Sequence, residues 1–162
     1  MSGLPPRIVF ATRESDYERL IARHGTRDQA RFFLETRGQK LEDAERPHAE
    51  LLDALQRCRA AAPPDWRQAQ VKRADFDRFL FAPEDIVVAV GQDGLVANIA
   101  KYLNGQPVLG INPSPQRYDG VLVKLAPDRL AALLPATQAG QAKVQNRTMV
   151  EAHLDKAPHD RG

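Results

Sequence analysis

The chain has 162 residues, 43% hydrophobic and 27% charged, which is enough for one domain with a buried core and excludes a disordered, collagen-like or coiled-coil class. Lysine and arginine outnumber aspartate and glutamate by only 23 to 21, with the signs interspersed, so no basic stripe tracks a nucleic-acid backbone. A single cysteine, Cys58, excludes an intramolecular disulfide and a Cys-based zinc site, and a reducing cytoplasm fits.

Ile8 to Ala11 is a short apolar run, the pattern of a buried first strand. It is too short to be a signal or membrane-spanning segment, so no membrane association is expected. Tyr17, Leu20 and Ile21 recur at helical spacing between Ser15 and His24, and Gly25 supplies a stop. Thr26 and Gln29 form a capping-box pattern that opens a second helix through Ala30, Phe33 and Leu34, closed by Arg37 and Gly38. Leu41, Ala44, His48, Leu51, Leu52, Leu55 and Cys58 then trace the stripe of a third and longest helix, ending before Pro63-Pro64.

Val71 is expected in a short strand, and Asp75 to Phe81 in a helical turn that carries Phe76, Phe79 and Leu80 inward. Phe32, Phe33, Phe76, Phe79 and Phe81 are assigned to the core. The clearest segment follows: Asp85, the apolar run Ile86 to Val90, the turn Gly91-Gln92-Asp93-Gly94, then a helix from Leu95 to Leu103. Asn104-Gly105 breaks that helix, and Pro107 to Asn112 reads as the next parallel strand, completing a βαβ unit. Pro113, Pro115 and Gly120 mark a loop in which Arg117 and Tyr118 read as ordinary loop polarity. Val121 to Val123 is expected to be extended. A last helix starts at Pro127, runs through Leu133 and ends at Pro135. Ala142 to Leu154 reads as a strand leaving the core, and the tail after Asp155 as loose. The fold class is α/β: a three-layer α-β-α, Rossmann-like or flavodoxin-like parallel sheet with helices on both faces.

Ligands of open parallel sheets sit beyond the carboxyl ends of the strands, where Gly91 to Gly94 falls. Glycines at both edges of the turn expose backbone N–H groups at a helix start, which favours phosphate oxygens. Asp93 would then be a carboxylate near those phosphates, fit to take a proton from an attacking hydroxyl or to meet Mg²⁺. The bland alternative is a plain Asp-Gly turn. His24, His48, His153 and His159 lack ligand spacing, so no protein-built metal site is expected.

The stretch VVAVGQDGLVANIAKYLNGQPVLGIN, Val87 to Asn112, resembles the core of the NAD kinase family, which carries a Gly-Gly-Asp-Gly turn between strand and helix. Diacylglycerol kinases and phosphofructokinases share the turn, but the closing strand Pro107 to Asn112 looks like the NAD kinase version. Gln145 to Leu154, with Arg147 and Met149, looks like the first strand of that family's C-terminal β domain. The resemblance implies a nucleotide-binding domain over residues 1–141 and the start of an incomplete second domain over 142–162. It further implies phosphoryl transfer from ATP, or polyphosphate, with Mg²⁺ to the ribose 2′-hydroxyl of NAD. Asp93 would be the general base, with Gly91, Gln92, Gly94, Asn98 and Asn112 at the nucleotide site. Small-molecule nucleotides are the expected partners, in a cytoplasmic homo-oligomer.

The pattern departs at Gln92, where a glycine is usual and where a positive φ would carry strain. It also departs at Leu95, which removes a polar group from the helix start, and at PSPQRYDGVL after Asn112. Two other readings therefore stay open: a related kinase acting on a sugar or lipid hydroxyl, and a non-catalytic nucleotide-binding module.

Overall fold

The buried apolar runs become strands. In the computed structural model, which describes residues 4–142, β1 (Ile8–Thr12), β2 (Gln68–Lys72), β3 (Ile86–Val90) and β4 (Val108–Ile111) form one parallel sheet in the order β2-β1-β3-β4. Every residue of β1 and β3 is buried, which is why these strands read as unbroken apolar runs, whereas edge strand β2 buries only Val71 and keeps polar residues outward.

Five helices follow: α1 (Asp16–His24), α2 (Arg27–Glu35), α3 (Glu42–Ala61), α4 (Asp93–Ala100) and α5 (Leu130–Gln138). Ala54, Leu55 and Cys58 of α3, with Leu130 and Leu134 of α5, pack on Ile8, Phe10, Ile86, Val88 and Ile111 on one face of the sheet. Leu95 and Ile99 of α4, with Phe76, cover Val9, Ala11, Val71, Val87 and Ala89 on the other. This is the three-layer α/β fold expected, and its strand order is flavodoxin-like. Ser15 and Thr26 cap α1 and α2, accepting from the N–H groups of Glu18 and Gln29 at 3.1 Å each. These two helices build a satellite cluster on α3 from Ala30, Leu34, Leu41 and their neighbours rather than covering the sheet.

The amino end of the sheet is closed by a buried ion pair. Asp85 is 1% exposed; its carboxylate takes both Nη2 (2.6 Å) and Nε (3.1 Å) of Arg7 and the N–H of Ala82 at 2.7 Å. Cys58 is fully buried under α3, and desolvation pushes its thiol up to about 12.

Several expectations need correction. Leu80 does not point inward but is 87% exposed, its carbonyl accepting from Arg7, while Phe76 fills the core and Phe79 packs beside it. Phe32 (68%) and Leu52 (51%) face outward, because Phe33 and Leu51, one position away on their helices, already take the inward faces. Helix α4 starts two residues earlier than expected and ends at Ala100; Lys101, Tyr102 and Leu103 continue it only through i→i−3 bonds. Pro135 does not end α5. It forfeits one rung, and the helix runs on until Gly140 turns at φ 70 and Gln141 N–H reaches Ala136 C=O at 2.8 Å. Val121 to Val123 makes no strand. The strand expected beyond Ala142, and the tail after it, lie outside the described residues.

Candidate functional site

Chain leaving β1 passes to the sheet face covered by α3, and chain leaving β3 enters α4 on the opposite face. The two neighbouring strands therefore part company at their carboxyl ends, which is where open α/β sheets form a crevice. Here the crevice is a cleft of about 230 Å³, with Arg13, Glu14 and Ser15 on the β1 side and Gly91, Gln92 and Gly94 on the β3 side. Arg73, which follows β2, and Tyr118, from the loop after β4, close its ends. A second cleft of about 370 Å³, lined by Asn112, Asp119 and Gly120 among others, adjoins it and shares Pro113 and Tyr118.

The β3–α4 turn is tighter than its sequence implied. Gln92 sits at φ −98 as the residue before the helix, so no left-handed strain arises from the missing glycine. Neither Gly91 nor Gly94 has positive φ either. A Cβ on Gly91 would come within 2.9 Å of Leu95 Cδ2, so that the end of this buried side chain would have to shift, whereas a Cβ on Gly94 would meet nothing within 4 Å. Leu95, the second departure, is buried and serves the core. Among the described residues the N–H groups of Asp93 and Gly94 find no acceptor, and both point from the start of α4. They are the anion-favouring end of a helix bordering a cleft.

Asp93 is the first residue of α4, and its half-buried carboxylate gathers three consecutive backbone N–H groups from the loop after β4. Val121 donates to Oδ2 at 2.9 Å, and Leu122 and Val123 donate to Oδ1 at 2.8 and 3.0 Å. The Val121 N–H above all, then those of Leu122 and Val123, hold its carboxyl below the usual aspartate range, against the opposing pull of partial burial. The group is anionic at neutral pH. Of roughly four acceptor positions on a carboxylate, three are taken, and the one left is on Oδ2.

Asn112 is likewise a loop anchor. Its Nδ2 donates to Tyr118 C=O and its Oδ1 accepts from Ser114 N–H, both at 2.9 Å. Glu50 of α3 holds the same loop from the other side, taking the Ser114 hydroxyl and the Arg117 guanidinium. Gly110 and Gly120 let it press close: a Cβ would come within 2.2 Å of Leu122 O and 2.1 Å of Val123 O, respectively. Asn98 lies a full turn along α4 from Gly94 and lines neither cleft. The structure thus brings together Gly91, Gln92 and Gly94 on one lip, sets Asp93 beside them facing the loop, places Asn112 at the second cleft, and leaves Asn98 outside.

One constellation imitates a hydrolase triad. Ser15 Oγ lies 2.8 Å from His48 Nδ1, and Glu18 Oε1 lies 3.7 Å from that same nitrogen. A relay needs the acid and the hydroxyl on opposite ring nitrogens, so this arrangement cannot activate Ser15, which instead caps α1.

Arg13 and Arg73 were not singled out in the sequence, and Tyr118, read there as ordinary loop polarity, lines both clefts. The signal for the arginines was present: each follows immediately on a strand. No group of three or more His, Cys, Asp or Glu among the described residues could hold a metal ion, and no helix there is long and apolar enough to cross a membrane. No family model matches the chain, and neither does any curated protein.

Proposed function

We propose that this domain binds a nucleotide through its phosphates at the β1/β3 crevice and serves a phosphotransferase of NAD kinase type, moving a phosphoryl group from ATP to the 2′-hydroxyl of NAD. The observation that carries the reading is the coincidence of the Gly91-Gln92-Asp93-Gly94 turn, with its open amides, and the point where the strand connections diverge. The free acceptor position on Asp93 Oδ2 can take a hydrogen bond from a ribose hydroxyl without disturbing the loop. With its pKa held down, Asp93 is a weak base whose main contribution is to orient that hydroxyl and stabilise the charge it gains. The two adjoining clefts give a dinucleotide and a phosphoryl donor separate room on either side of Tyr118.

The described residues offer no three-carboxylate cage, which fits Mg²⁺ arriving on the nucleotide and held chiefly by its phosphates. The ion supplies charge neutralisation when bound. Open amides of Asp93 and Gly94 orient the phosphates, and Tyr118 stands between the clefts. A cytoplasmic homo-oligomer belongs to the same reading.

A second reading is favoured by one observation. Asp93 is committed to the loop, as an anchor in a non-catalytic nucleotide-binding module would be.

The test is calorimetric titration of the chain with ATP and with NAD in Mg²⁺, alongside an assay for NADP. Binding of either nucleotide that weakens in Asp93→Asn is expected of the chain, with or without turnover, and in a protein with a complete second domain NADP formation falls about a hundredfold in that variant, the loss typical of a positioned acid–base or charge-stabilising group. Nucleotide binding with no NADP formation when the second domain is complete favours the second reading, and no binding at millimolar ligand overturns both.

A further inference from the structure

The loop after β4 is a stiff knuckle joined to a short run of amides. Pro113 and Pro115 fix the backbone on either side of Ser114. Ser114 C=O accepts from the N–H groups of Arg117 and Tyr118 at 2.9 and 3.2 Å, which closes one turn. Asn112 spans the same turn, its Oδ1 on Ser114 N–H and its Nδ2 on Tyr118 C=O. Only Asp119 and Gly120 separate Tyr118 from the three amides that Asp93 gathers, and there the chain folds back so tightly that Gly120 has no room for a Cβ beside Val123 O. A displacement of the knuckle therefore meets little slack before it reaches Asp93.

Among the described residues, two side chains from outside the 112–123 segment hydrogen-bond to it, and both are carboxylates. Asp93 belongs to α4, on one face of the sheet, and Glu50 to α3, on the other. One oxygen of Glu50 accepts from the Ser114 hydroxyl, and the other lies 3.2 Å from the Arg117 guanidinium. Glu50 and Arg117 are half-buried, so their ion pair contributes little to overall stability. Its geometry does more: one carboxylate holding two side chains three positions apart fixes how the knuckle is turned. Ser114 is buried, and without Glu50 its hydroxyl would be left unpaired where it stands, which drives the turn to move.

We propose that Glu50 is a positioning residue for Asp93: from α3 it locks the knuckle at Ser114 and Arg117, and across Asp119 and Gly120 it holds the Val121, Leu122 and Val123 amides on the Asp93 carboxylate. The same lock keeps Tyr118 as the wall between the two clefts. The coupling stands on geometry alone, while its consequence for phosphoryl transfer rests on the role of Asp93 proposed above.

Amide hydrogen exchange of the full chain, read by NMR, tests it. Glu50→Ala speeds exchange at Leu122 and Val123 about tenfold, the scale of one lost hydrogen bond. Val71→Ala, which destabilises the opposite edge strand, leaves those two amides within about twofold. In the same Glu50→Ala sample the Asp93 carboxyl titrates closer to the ordinary aspartate value near 3.9, because the N–H groups that hold it low have been released. Glu50→Gln keeps an acceptor for Ser114 but loses the charge facing Arg117; it gives smaller changes of the same sign and carries the test should Glu50→Ala not fold. Loop exchange equal to wild type, equal acceleration by Val71→Ala, or an Asp93 titration that does not move overturns the coupling. The two readings fail separately. Loop amides that respond to Glu50 in a chain that binds no nucleotide keep the coupling and remove the phosphotransferase. Nucleotide binding that weakens in Asp93→Asn, beside loop amides indifferent to Glu50, does the reverse.

Discussion

Asp85 and Asp93 sit at opposite ends of β3 and are satisfied in opposite ways. Asp85, at the amino end, meets a guanidinium in bidentate geometry and is sealed from water. Asp93, at the carboxyl end, meets only backbone N–H groups, while the nearest strand-end arginines stay unpaired among the described residues. At the amino end charge is cancelled internally, which closes that end and fixes β1 beside β3. At the carboxyl end cation and anion are held apart by strand spacing and loop geometry, and so both remain available to something from outside. The contrast separates an acid that holds the fold from one that also borders a site.

The largest way to break the comparison is at the closed end. Arg7→Ala strands a buried carboxylate and is expected to lower stability by about 3 to 5 kcal/mol in urea denaturation, with nucleotide affinity unchanged where the protein still folds. Asp93→Asn removes a charge-assisted acceptor from a half-buried position and is expected to cost about 1 kcal/mol at pH 7. The sign with pH is fixed by the direction of the shift. A carboxyl held low in the folded state adds stability above the unfolded aspartate value, near 3.9, and loses it as pH falls through the folded value. The gap between wild type and Asp93→Asn therefore closes below about pH 3.9, as measured by denaturation across pH. A gap that stays constant would mean that loop packing, not charge, is what Asp93 provides. The smallest effect sharpens the comparison: Gly94→Ala, with open space around the new methyl and no positive φ, should gain up to about 1 kcal/mol and yet weaken ATP binding. Stability gained without loss of binding would place the phosphate elsewhere.

The sheet was legible because β1 and β3 are buried on both faces and so carry no alternation to confuse the pattern. The turn at Gly91 was legible for the same reason, as a sharp edge after an apolar run. Its departure at Gln92 looked costly only because glycine-rich turns are associated with positive φ, which this turn does not use. Long-range partners were not legible. Nothing local at Asp93 tells that its acceptors would be claimed by amides some thirty positions on, or that Asn112 would brace a loop rather than face a ligand. Arg13 and Arg73 are 60 positions apart, and their adjacency appears only once the register sets Thr12 against Lys72.

Cys58 offers an internal clock on the opening of the layer that covers it. Its thiol is enclosed between α3 and the sheet and has a pKa near 12, so it reacts with alkylating agents only while that layer is lifted away. With no other cysteine to label, the modification rate of the native protein reads out the opening equilibrium of one sheet face. A ligand lodged between β1 and β3 would slow that rate in proportion to its occupancy, so binding can be followed without a chromophore on the ligand.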